Sequence, residues 1–242
     1  VRKAIDPVWQ NLNQEIITCR ACPRLVQWRE QVARDKRQAY KNWDYWGQPV
    51  PGFGDPNARL LIVGLAPGAH GSNRTGRQFT GDSSGNTLYP CLYQTGFASG
   101  PVSLHQDDGL ALIDAFITAV GRCAPPQNRP TGAELDNCRS FFRQEWALLS
   151  QVRVVVALGQ IAFEGCLRAM REMGFDAPRV KFGHGVHYPF NSPAIGGVRH
   201  LLAAYHPSRQ NTQTGRLTPH MLNDVFNRAR MLLEEDSFRQ NE

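Results

Sequence analysis

Four runs of apolar residues divide the chain: "RLLIVGLA" (59–66), "ALIDAFITAV" (111–120), "VRVVVALG" (152–159) and "VRHLLAAYHP" (198–207). A strand wetted on one side alternates apolar and polar positions, whereas one covered on both sides reads as a near-continuous hydrophobic run. All four are therefore predicted as covered strands. Between them the pattern changes period. "SGNTLYPCLYQTG" runs from a polar start to a closing glycine, and "LDNCRSFFRQEWALLSQ" and "QIAFEGCLRAMREMG" alternate faces at helical spacing. A last helix is predicted over "TPHMLNDVFNRARMLLEED", with Thr218 and Pro219 in cap and first-turn positions. Strands alternating with helices predict an α/β fold: a three-layer α/β/α sandwich around a central, mostly parallel, four-stranded sheet. A single domain over residues 1–242 is expected. Its first 58 residues are charged and Trp-containing, and end in the Gly-, Pro- and aromatic-rich loop "KNWDYWGQPVPGFGDPNA"; they read as an extension on that core.

Sheets of this kind take their ligands beyond the carboxyl ends of the strands. Three unusual loops follow predicted strands: residues 64–85, "GRCAPPQNRP" (121–130) and "HPSRQNTQTGR" (206–216). They are expected to build one site together. The first, "GLAPGAHGSNRTGRQFTGDSSG", is glycine-rich like a phosphate-binding loop but lacks that loop's lysine followed by Ser or Thr. It carries one carboxylate instead, Asp82, framed as "TGD".

Composition narrows the partner. The net charge of +6 leans basic and suits an anionic ligand such as nucleic acid, while 41% hydrophobic residues are ordinary for a globular protein. No stretch has the length of a membrane span, and the N-terminal residues lack the layout of a signal peptide, so no membrane and a cytoplasmic location are expected. Nothing in the sequence demands more than a monomer.

Six cysteines fall into two kinds. Cys19 and Cys22 form "CRAC", and Cys123 and Cys138 form a second pair with fourteen residues between them. Two such pairs suit a tetrahedral zinc site or an iron–sulfur cluster, and the spacing does not choose between them. Either would tie the N-terminal extension to the loop after the second strand. Cys91 and Cys166 fall inside apolar helices and are expected in the core.

With those residues in hand, the chain resembles the uracil-DNA glycosylase superfamily, family 5 (B-type). The resemblance rests on "GLAPGAHGSNRTGRQFTGD", "RCAPPQNRP", "HPS" with "NTQTGRLT", and the four cysteines, and runs from about residue 15 to the last helix. It implies DNA containing uracil or other deaminated bases as partner and a structural [4Fe–4S] cluster on Cys19, Cys22, Cys123 and Cys138. No catalytic metal is expected. It also implies a monofunctional DNA repair enzyme that hydrolyses the N-glycosidic bond of a flipped-out base. The alternative is a nucleic-acid-binding protein of the same fold without catalysis; a hydrolase of free nucleotides is a third reading.

By the same resemblance, Asp82 is the carboxylate that stabilises the sugar cation and orients water; unaided, "GDSSGN" reads it as a helix cap. Asn128 would help position the water or sugar, and His206 would donate to a base carbonyl; each is otherwise a plain loop residue. Phe79 would stack on the base or else be core. Gly64, Leu65, Ala66, Gly68, Ala69 and His70 would line the base, Ser208 would meet phosphate, and Arg209 and Gln210 occupy the position of an intercalating side chain. Ala119, in "ITA", stands where family 4 has the asparagine of "ITN" that reads the uracil edge. Losing that hydrogen-bond pair predicts looser specificity, extending to hypoxanthine and xanthine. No lysine lies in the three loops, and Lys181 is outside them, so no Schiff-base lyase step is expected.

Overall fold

The computed structural model describes residues 6–177, 179–190, 197 and 199–239. In chain order, helices α1 (Pro7–Thr18) and α2 (Pro23–Asp35) precede strands β1 (Phe53–Gly54) and β2 (Leu60–Gly64). Helices α3 (Ser72–Thr75) and α4 (Ser83–Gln94) lead to β3 (Ala115–Ala119), and α5 (Gly132–Leu148) leads to β4 (Val154–Leu158). Helix α6 (Gln160–Glu172), strands β5 (His187–Pro189) and β6 (His200–Ala204), and helices α7 (Arg209–Gln213) and α8 (Pro219–Arg239) follow.

The four expected strands lie side by side and parallel, in the order β3-β2-β4-β6. The expected four-stranded sheet is nevertheless corrected to six strands, because β1 and β5 add antiparallel edges. These two are two and three residues long, too short for any alternation to be read, and β5 carries Pro189 where only an edge tolerates it. Both faces of the sheet are covered, which explains the unbroken apolar runs. Leu61, Val155 and Ala203 pack under α5 and α6, with Trp9 of α1 in the same cluster. Leu60, Ile62 and Val156 pack under α4 and α8 on the other face. Burial of each such side chain stabilises the fold by about 1.5–3 kcal/mol.

Two boundaries differ from the pattern for identifiable reasons. The second run starts as a strand only at Ala115, because Asp114 takes a left-handed φ of 54° and grips Arg59 through a 2.6 Å ion pair. The fourth starts at His200, and its first predicted residue, Val198, lies outside the described residues. Helix α8 begins as expected, with Thr218 Oγ1 accepting from the Met221 N–H. The N-terminal extension is largely helical, and Trp9 reaches the Phe116 ring inside the core at 5.2 Å. Among the described residues, no helix is long and apolar enough to cross a membrane.

Candidate active site

Asp82 occupies the cap position of α4. Its Oδ1 accepts from the N–H groups of Ser84 at 3.0 Å and Gly85 at 3.2 Å, so the helix-cap reading of this residue is realised. Oδ2 lies elsewhere, over the turn of residues 68–71, where a β-carbon at Gly68 would stand 2.7 Å from it. Burial pushes this carboxyl above its ordinary value, opposed by the two cap bonds and by the nearby Arg74 cation.

Three residues earlier on the same loop, Phe79 is buried with a left-handed φ of 51°, a costly conformation for a non-glycine residue. Its ring lies against Gly64, where any β-carbon would stand 2.7 Å from the ring edge. Gly64 pairs in register with Ala119, the last residue of β3, and the two share a sheet face. The imidazole of His206 approaches Phe79 from the end of β6, with ring centroids 5.8 Å apart and a tilt of 30°. Phe79, Gly64, Ala119 and His206 thus form one surface from three strand ends. A fourth strand end contributes unexpectedly: a β-carbon at Gly159, which has φ 97°, would lie 3.2 Å from that of His206. Burial holds the His206 imidazole down at about 4, so it is neutral at pH 7 and one ring nitrogen carries a proton to donate.

The remaining expected residues are placed less closely together. Leu65 accepts from the Gly121 N–H at 2.8 Å, which joins the first loop to the second, and Ala66, Gly68 and Ala69 follow as partly buried backbone. His70 Nδ1 lies 3.1 Å from the Tyr45 hydroxyl, and burial, then Arg37 and Arg74, lower its basicity. Asn128 ends a 3₁₀ turn, with exposed side chain and φ 56° beside Gln127 at 54°. The structure does not bring it against Asp82 or His206. Ser208 caps α7 by accepting from the Asn211 N–H at 3.4 Å, leaving Arg209 and Gln210 exposed on its first turn.

Cys19, Cys22, Cys123 and Cys138 line one small cavity. Arg29, almost fully buried, donates to Cys123 Sγ at 2.9 Å, and Asn137 donates to Cys22 Sγ at 3.4 Å. Burial pushes the Cys123 thiol up to about 12, against the pull of that guanidinium. A set of four sulfurs supplied with donors suits thiolates ligating iron or zinc. Among the described residues, no group of three or more His, Cys, Asp or Glu is close enough to hold a single metal ion. Cys91 and Cys166 are buried in the core, as expected.

The Uracil DNA glycosylase superfamily profile matches residues 51–230. The type-5 uracil-DNA glycosylase of Thermus thermophilus is 54% identical over 219 residues, which is 90% of this chain and 95% of that protein. Its counterpart in Mycobacterium bovis is 52% identical over 222 residues, 91% of this chain and 80% of its own. The chain belongs to the type-5 uracil-DNA glycosylases. A type-4 uracil-DNA glycosylase of Pyrobaculum aerophilum is more distant, at 32% identity over 68% of this chain and 74% of its own length.

In this type-5 chain the loop is held by residues that sequence reading missed. The Arg74 guanidinium stands over the rings of both Tyr40 and Trp43, at 3.9 and 4.1 Å, in the corner these nearly perpendicular rings make, and donates to the carbonyls of His70 and Gly81. The extension thereby rests on the residue that ties two stretches of the glycine loop together. Arg77, also buried, donates to Asp108, Ser103 and Thr80 and so anchors the segment beside Phe79. Below Ala119, Arg122 and Glu145 form a fully buried pair at 2.6 Å that also binds Thr118. The aromatic run "YKNWDYW" was the one sequence signal for this layer. Pairing across more than twenty residues leaves no periodic trace.

Proposed function

We propose that this chain is a monofunctional DNA glycosylase that removes uracil, and also hypoxanthine and xanthine, from DNA and leaves an abasic site. The observation that carries the reading is the division of labour at Asp82: one oxygen caps α4, and the other lies over the turn at Gly68 and Gly71, on the same loop that carries Phe79.

The target base leaves its stack and lies on the Phe79 ring. As the glycosidic bond lengthens, positive charge grows on the sugar and negative charge on the base. The Asp82 carboxylate stabilises the first and orients the attacking water; Asn128, exposed on the second loop and apart from Asp82 in the free protein, would help position that water or the sugar. A neutral His206 donates to the base carbonyl and stabilises the second. Gly64, Leu65, Ala66, Gly68, Ala69 and His70 enclose the base, while Ser208, Arg209 and Gln210 meet the DNA backbone and the vacated stack. Ala119 places a methyl group where a base edge would otherwise be read, and this supports the wider substrate range.

The four cysteines suit a structural [4Fe–4S] cluster, which would hold the N-terminal helices against the loop after β3. Trp9 in the core and the Arg24–Glu134 ion pair at 2.7 Å support reading residues 1–242 as one domain, with 1–58 as an extension secured by that cluster.

The test is a labelled duplex with one uracil opposite guanine, incubated with the protein and then treated with alkali. Alkali-dependent cleavage at that position, lost in Asp82→Asn, is expected. Absence of cleavage with uracil and hypoxanthine substrates, in protein that still binds the duplex, overturns the proposal in favour of a binding protein.

A further inference from the structure

We infer that Gly71, assisted by Gly68, is a positioning residue that seats the Asp82 carboxylate; this rests on the catalytic reading of Asp82 above. A β-carbon on Gly71 would stand 2.6 Å from Asp82 Cγ and 2.9 Å from its Cβ, and closer still to Oδ2. One on Gly68 would reach only Oδ2, at 2.7 Å. Neither glycine has the left-handed φ that by itself demands glycine. What the chain forgoes at both positions is a side chain, and the space goes to the carboxylate.

The turn itself does not yield. The Gly68 carbonyl accepts from the N–H groups of Gly71 at 3.2 Å and Asn73 at 3.0 Å, and the Gly71 carbonyl accepts from Arg74 at 2.9 Å and Thr75 at 3.0 Å. Asn73 is fully buried, and its amide donates to the Arg29 carbonyl at 3.2 Å, on the helix that faces the cysteine cavity. A methyl group added at Gly71 meets a fixed backbone on its own side and a rotatable side chain on the other. At Gly68, where only the far end of the carboxylate lies within 3 Å, the carboxylate moves and the fold is kept; at Gly71 the fixed Asp82 Cβ is met as well, so the carboxylate is displaced together with the start of α4. Displacement of a reacting group by about 1 Å costs on the order of 100-fold in rate.

The experiment compares Gly71→Ala, Gly68→Ala and Asp82→Asn for single-turnover excision of uracil and for affinity toward the same duplex. Gly71→Ala is expected to lose about 100-fold in rate and Gly68→Ala about 10-fold. Both should bind DNA as the unmodified protein does, and the acid limb of the pH–rate profile should move to lower pH as the carboxylate gains water. Unchanged rates in both variants, with Asp82→Asn inactive, overturn the inference, as does a rate loss matched by an equal loss of binding. Full activity in Asp82→Asn overturns instead the catalytic reading beneath it. Should Gly71→Ala not fold, Gly68→Ala, which touches only Oδ2, decides the question alone.

Discussion

The rings of Phe79 and His206 lie 5.8 Å apart across two loops separated by more than a hundred residues of chain. Phe79 carries an unfavourable backbone angle but packs into the apolar core, and His206 lies against it without a charged partner. Each limits the space left to the other. Removing the Phe79 ring is expected to weaken base release on all substrates, since stacking does not distinguish them. Phe79→Ala should lose about 1–3 kcal/mol of binding to the extruded base, measured as a rise in KM on a uracil duplex.

The half-buried imidazole makes stability depend on pH. Its folded value of about 4 lies below the ordinary 6.5, so the unfolded chain binds the extra proton between those values. The stability is complete above about pH 6.5 and is lost as pH falls toward 4, by up to ~3 kcal/mol. His206→Gln should flatten the dependence of Tm on pH in that window. It should also lower excision by about 10²–10³-fold at pH 7 by removing the donor to the leaving base.

Asp82 separates folding from chemistry by choice of substituent. Asn caps a helix as well as Asp does, so Asp82→Asn should change stability little while abolishing excision. Asp82→Ala loses the cap as well and should cost about 1 kcal/mol more in denaturant unfolding. Because burial raises this carboxyl, the native state holds its proton more tightly than the unfolded chain does. Stability from this group therefore falls as pH rises from the ordinary carboxylate range through the raised value, and Asp82→Asn should remove that slope.

An asparagine at position 119 would restore a polar edge reader at the end of β3. Ala119→Asn is expected to raise the ratio of uracil to hypoxanthine excision by at least about 10-fold. The site is closely packed, so a cost of about 1–3 kcal/mol in stability should accompany it. Rates on duplexes carrying each base check the first, and thermal melting the second.

Arg122 and Glu145 are almost wholly shut from water and bond to each other and to Thr118, with the Gly52 N–H donating to Glu145 as well. Arg122→Met leaves Glu145 charged among apolar side chains and should destabilise the protein by about 3–5 kcal/mol in urea. Pairing it with Glu145→Leu should recover much of the loss.

The central sheet was legible because its four strands are covered on both faces and so announce themselves as apolar runs. Strands β1 and β5 were not, since two or three residues carry no period. At the site, "TGD" and "HPS" marked the loops that carry Asp82 and His206, and glycine content marked the close approach around them. The sequence left open whether Asp82 caps or reacts; the geometry assigns its two oxygens to different places. The supporting layer of Arg74 over Tyr40 and Trp43, and of Arg77 on Asp108, was hidden because such contacts depend on tertiary neighbours.

Arg29, Arg74, Arg77 and Arg122 are at most 3% exposed, so four cations counted in the net charge serve as internal girders. A phosphate approaching from solvent meets only what remains on the outside. Displacement of counterions from DNA, and with it the steepness of any salt titration, follows that outer charge and not the total written in the composition.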